Sequence, residues 1–168
     1  MEYERRFLVD VNADWRRCVR PCSKLLCDRY LECGRLRLRR IEDSDTGRIA
    51  LKLTKKYDSG SASAQPIVSI WLSAAEHDAL RALPGFELRK RRYYDEGAGA
   101  VFGIDVFEGE LEGLILCEAE VDSAAARGQL AIPGYALHEV TEDPFFTGGS
   151  LCRTRRHELA EMLDWLHS

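Results

Sequence analysis

From its first residues the chain alternates. Glu2, Glu4 and Arg6 occupy every second position ahead of the apolar run Phe7, Leu8, Val9, which is the period of a strand with two unlike faces. The alternation returns at 34–40, where Leu36 and Leu38 oppose Arg35, Arg37 and Arg39, and at 51–53, where Leu51 and Leu53 oppose Lys52. At 101–107, Ile104 and Val106 oppose Asp105 and Phe107, whereas Leu114 and Leu116 run in phase with Glu118 and Glu120, so that this strand changes character halfway along. The pattern predicts strands near 2–9, 24–32, 35–41, 48–54, 66–72, 86–94, 101–107, 113–121 and a short one at 137–141. Segments rich in Asp and Gly, such as 42–47 and 95–99, supply hairpin connections, and many short strands so joined predict a largely antiparallel sheet or barrel.

Helical patterning interrupts the strands. Ser73 followed by Glu76 is a capping box opening a helix over 73–83. From Ser150 onward, Leu159, Met162, Leu163 and Leu166 fall on one helical face; residues 10–20 and 122–129 carry fainter helical patterns. No repeat, low-complexity tract or linker divides the chain, so the expected organisation is α+β in a single domain over 1–168.

Composition narrows the function. With 45% hydrophobic and 31% charged residues the chain is globular. No stretch approaches the roughly 20 apolar residues of a spanning helix, and the opening residues mix acid and base unlike a leader; the expectation is a cytoplasmic protein. A net charge of -4 gives no overall case for nucleic acid or membrane partners. The signs are segregated all the same, basic at 34–40, 52–56 and 89–94, acidic at 108–113 and 117–122. Cys18, Cys22, Cys27, Cys33, Cys117 and Cys152 include no CxxC pair, and are read as reduced structural thiols, not as a zinc site. His77, His138, His157 and His167 have no ligand-like spacing, and Tyr93 and Tyr94 are read as packing residues.

Each strand thus offers an apolar face for helices to cover and a charged one. For a single strand, the simplest reading is a solvated sheet face. Across neighbouring strands, like charges in register are destabilising unless something of opposite sign lies between them. Curling the sheet with these faces inward gives them a purpose, because the cations would hold a polyanion and the carboxylates a bridging metal.

Eight segments carry a family resemblance, in order. Glu2 to Val9 resembles the ExExK opening of the CYTH superfamily, the triphosphate tunnel metalloenzymes. Asp28-Arg29-Tyr30-Leu31 resembles its second strand, Leu36-Arg37-Leu38-Arg39 its RxR strand and Ala50-Leu51-Lys52 its lysine strand. Arg89 to Tyr93 resembles KxRY, Asp105-Val106-Phe107 resembles DxF, Glu118-Ala119-Glu120-Val121 resembles ExE, and Val140 to Asp143 the closing VTxD. The resemblance implies a closed antiparallel eight-stranded β-barrel, a tunnel with charged interior and flanking helices. It also implies hydrolysis of a triphosphate-containing small molecule, most simply inorganic triphosphate, with Mg2+ or Mn2+. By the same resemblance Arg6, Arg37, Arg39, Lys52, Lys90 and Arg92 bind the polyphosphate, Glu2, Glu4, Glu118 and Glu120 hold the metal, and Glu2, Glu4, Arg6 and Tyr30 are the candidate catalytic set. Pairing of the barrel into a homodimer is left open.

Three departures qualify the likeness. Arg6 stands where the family has lysine, and arginine keeps its proton. The strand expected to bring another acidic pair reads Ile67-Val68-Ser69, and the closing RYxN reads Phe145-Phe146-Thr147-Gly148. A tunnel that retains a polyphosphate or nucleoside triphosphate with little turnover is therefore a second reading; class IV adenylate cyclase and thiamine triphosphatase are more distant ones.

Overall fold

In the computed structural model of the protein, the described residues are 2–58, 60, 63–97 and 99–166, without the side chain of Glu2. Among these, the alternating segments form β1 (Glu2–Val9), β2 (Lys24–Leu31), β3 (Leu36–Asp43), β4 (Ile49–Lys56), β5 (Ala64–Gln65), β6 (Ile67–Trp71), β7 (Gly85–Asp95), β8 (Phe102–Phe107), β9 (Ile115–Val121) and β10 (Ala136–Glu139). They build one curled antiparallel sheet in the order β10-β1-β9-β8-β7-β2-β3-β4-β6.

This is the expected antiparallel α+β tunnel-like fold, with two features that the sequence pattern did not give. Pro66, which has no N–H to give a ladder, cuts the segment 64–71 in two: β6 pairs with β4, while β5 pairs with the start of β1 through Glu2↔Gln65 and Tyr3↔Ala64, extended by the Glu4 N–H donating to the Ser63 carbonyl at 3.0 Å. Further along the same edge of β1, opposite β9, β10 adds a strand joined at Phe7↔Glu139 and Leu8↔His138 and pinned by Arg5, whose Nη2 lies 2.6 Å from the Glu139 carboxylate.

Two apolar clusters fix the sheet's shape. On its outer face Phe7, Val9, Ile104, Ile115 and Cys117 pack with Trp15, Leu130 and Tyr135. Trp15 is fully buried, and around it residues 10–20 form a single 3-10 turn at Trp15–Arg17 instead of the fainter helix. The second cluster explains the strand that changes character. Leu8, Leu88, Phe107 and Leu116, in phase with the charged positions, join Phe146, Leu151 and Leu159 and fill one end of the curl. The covering elements are α3 (Gly148–Leu151) and α4 (Arg156–Leu166).

The helix expected from Ser150 is thus two. Cys152–Arg155 break it, with the Thr154 hydroxyl returning to the Ser150 carbonyl at 3.1 Å and the Arg155 N–H donating to Glu158 at 2.7 Å to start α4. Helix α1 (Ala74–Arg81) has the reciprocal Ser73–Glu76 capping box, and α2 spans Ala124–Gln129. Helices do not cover every apolar face: Ile49, Val68 and Ile70 on β4 and β6 are more than half exposed.

Candidate active site

The inward faces of the strands enclose a cavity of about 810 Å³. Arg6, Arg37, Arg39, Lys52, Lys90, Arg92, Tyr30, Glu4, Glu118 and Glu120 all line it; the side chain of Glu2 lies outside the described residues. Lys24, Arg35, Lys56 and Arg153 line it too, and were not singled out as site residues in the sequence.

Register decides which charges meet. Arg6 lies opposite Glu118 and Glu4 opposite Glu120 on the β1–β9 ladder; Arg92 faces Asp105 across β7–β8, and Asp28 faces Arg39 across β2–β3. Arg6 Nη2 donates to Glu4 Oε1 at 2.5 Å, its Nη1 to the Phe146 carbonyl at 3.0 Å, and its Nε to Glu118 Oε2 at 3.5 Å. Arg92 reaches Asp105 through Nε and Nη2 at 2.6 and 2.7 Å and also bonds Glu118. Lys90 is paired with Asp105, and Arg39 grips Asp28 with two hydrogen bonds of 2.6 Å.

Asp28 and Asp105 are the functional positions that the sequence reading passed over. Both are buried, and each fixes a cation of the cavity by its fork geometry. The signal was their inward phase, but a lone aspartate on a strand reads as a surface group until its partner strand is known. Two glycines make room. A Cβ at Gly103 would stand 3.1 Å from Arg92 Nε, and one at Gly148 only 1.9 Å from the Tyr30 hydroxyl.

These contacts hold the ionisation states. Burial disfavours the charge on Arg6, but Glu4 and Glu118 outweigh it and raise its pKa. Burial likewise works against Glu118, yet Arg92, Lys90 and Arg6 hold it well below the ordinary carboxylate range. Asp28 is lowered by Arg39 against the same cost. Burial pushes Tyr30 up, and lowers Lys90 despite Asp105. Arg37 differs from its neighbours: its Nε is buried with no hydrogen-bond partner among the described residues.

No protein-family model matches the chain, and no curated protein matches it either. Solved structures do. The crystal structure of NE1496 overlays with a TM-score of 0.60 at 25% identity, covering 92% of this chain and 99% of that one. A second structure of it, as the inorganic triphosphatase NE1496, gives 0.58 at 24% identity over 92% and 95%. HpAC1 from Hippeastrum, which has a dominant triphosphatase activity, gives 0.50 at 11% identity over 77% of this chain and 84% of its own.

The chain has the triphosphate tunnel fold of the CYTH superfamily. Within this CYTH fold the departures in sequence acquire physical meaning. The Phe146 carbonyl accepts from Arg6, and Gly148 leaves the space that the Tyr30 hydroxyl uses. At the missing acidic pair, Ser69 Oγ lies 2.9 Å from the Thr54 hydroxyl, a neutral pair in place of acids.

For a divalent metal the donors are hard oxygens on adjacent strands. Glu4 and Glu120 are directly opposed, and Glu4 pairs with Arg6 and Lys56. Among the described residues no three His, Cys, Asp or Glu side chains converge on one point. The set suits an ion such as magnesium, which takes one or two carboxylates and completes its shell with water and phosphate oxygens.

Proposed function

We propose that this protein hydrolyses a triphosphate bound in the cavity, with inorganic triphosphate as the preferred substrate. The observation that carries the reading is the surplus of cations: ten Lys and Arg side chains line the cavity with four carboxylates. Arg6, Arg39 and Lys90 among these cations are buried, a concentration of like charge that is costly unless an anion enters, and Arg37 Nε, already desolvated, lacks the acceptor that a phosphate oxygen would be. The fold shared with the inorganic triphosphatase NE1496 points the same way.

In this reading Arg37, Arg39 and Lys52, on adjacent strands, bind one side of the polyphosphate, and Lys90, Arg92 and Arg6 the other. Asp28 and Asp105 hold the guanidinium planes, so little reorganisation is needed when charge redistributes. Magnesium or manganese, held by one or two of Glu4, Glu118 and Glu120, would neutralise charge on the phosphate oxygens. Arg6 and Tyr30 keep their protons, and Glu118 is too weak a base to take one from water. Phosphoryl transfer tolerates this, since its loose transition state asks chiefly for positioning and electrostatic stabilisation.

One observation favours retention without turnover as the second reading: Arg6, with its raised pKa, bonds both Glu4 and Glu118. Phosphate release from inorganic triphosphate with magnesium or manganese, beside ATP and thiamine triphosphate, separates the two. Metal-dependent turnover, fastest on the inorganic substrate, is expected; saturable binding with no release under any metal would select retention.

A further inference from the structure

We infer that Arg6 is a resident counter-cation that competes with divalent metal for Glu4 and Glu118, so that the free protein binds metal weakly and takes it up together with the polyphosphate. The contacts leave the carboxylates engaged. Glu4 Oε1 accepts from Arg6 at 2.5 Å, and its Oε2 lies 3.9 Å from Lys56 Nζ. Glu118 Oε2 lies 3.5 Å from Arg6 Nε, while its Oε1 accepts from Arg92. All four oxygens therefore already face a cation.

Arg6 pairs with both carboxylates. Its side chain is 9% exposed, against 6% for Glu4 and 15% for Glu118, so water screens the pairs little. Its third nitrogen donates to the Phe146 carbonyl, which locks the planar group from the opposite side. A divalent ion ligated by Glu4 or Glu118 would take the oxygens that the guanidinium now uses and be repelled by its charge. Phosphate oxygens, in turn, are strong partners for a guanidinium fork. A polyphosphate entering beside Arg6 draws the guanidinium off the carboxylates and releases them to metal. Coupling of this kind is reciprocal: whatever triphosphate does for metal affinity, metal does for triphosphate affinity.

The inference rests on the proposed function in reading Glu4 and Glu118 as metal ligands and a polyphosphate as the cavity's ligand, and its deciding titration uses no substrate. Mn2+ alone is titrated into the wild-type protein, Arg6→Gln and Arg6→Lys, with bound ion followed by electron paramagnetic resonance and folding checked by circular dichroism. Arg6→Gln is expected to bind Mn2+ roughly tenfold tighter than wild type. Arg6→Lys, which keeps a cation but loses the planar fork, is expected to fall between them. Should Arg6→Gln fail to fold, Arg6→Lys carries the test, since it must still exceed wild type. Variants that bind Mn2+ no tighter than wild type would overturn the inference. Tighter binding without triphosphate turnover in the wild type would sustain it and overturn only the hydrolase reading.

Discussion

At the scale of single residues, the cavity is set by a few close approaches. Gly148 opens α3, where an alanine would ordinarily be favoured over glycine by its smaller entropy loss. Here a Cβ would stand 1.9 Å from the hydroxyl of Tyr30, a ring that contacts the apolar cluster filling the end of the curl. Gly148→Ala is therefore expected to destabilise the protein, by about 1–3 kcal/mol as overpacking does, with the midpoint of urea unfolding as the measure. A gain in stability would show that Tyr30 swings aside freely. The role of Gly148 was not legible in the sequence, where the segment showed only the loss of RYxN. What a glycine excludes depends on a residue more than a hundred positions away.

At the scale of elements, register turns alternating charge into specific pairs. Asp28 and Arg39 meet because β2 and β3 align them, and their side chains are 0% and 8% exposed. Removing the charge of one partner in such a buried pair leaves the other uncompensated. Asp28→Asn should cost about 3 kcal/mol in denaturant unfolding, whereas Asp14→Asn, which breaks the exposed pair with Arg17, should leave stability nearly unchanged. Equal effects of the two substitutions would show that burial does not set the value of the Asp28 pair. The strands and α1 were legible because a two-residue period and a capping box are local signals. The break between α3 and α4 and the division at Pro66 were less so: the first depends on side-chain contacts to the backbone, and the second on pairing with two different strands. Likewise the inward cations were visible as the basic face of Leu36 to Arg39, but Asp28 and Asp105 became readable only once their partners across the ladder were fixed.

At the scale of the whole molecule, the buried carboxylates tie stability to pH. Asp28 and Glu118 have folded-state pKa values below the ordinary ones, so each stabilises the fold fully at pH above its unfolded value of about 4. That contribution is lost as pH falls through the folded-state values. The melting temperature is expected to stay nearly level from neutral pH down to about 5 and to fall steeply below about 4; a melting temperature that rises on acidification would contradict the assigned pairs. The surplus of cations lining the cavity makes it, in the proposed reading, a receptor for a polyanion. Arg37 tests this most directly, because its Nε is buried with no partner among the described residues, so that replacing it breaks no ion pair described for it. The deciding measurement is kcat/KM for inorganic triphosphate with magnesium or manganese, in the wild-type protein and in Arg37→Met. Metal-dependent turnover by the wild type, reduced about tenfold or more in Arg37→Met as for a lost charged hydrogen bond, is the expected result. No turnover by the folded wild-type protein, or equal turnover by both, would contradict a triphosphate held and hydrolysed in this cavity.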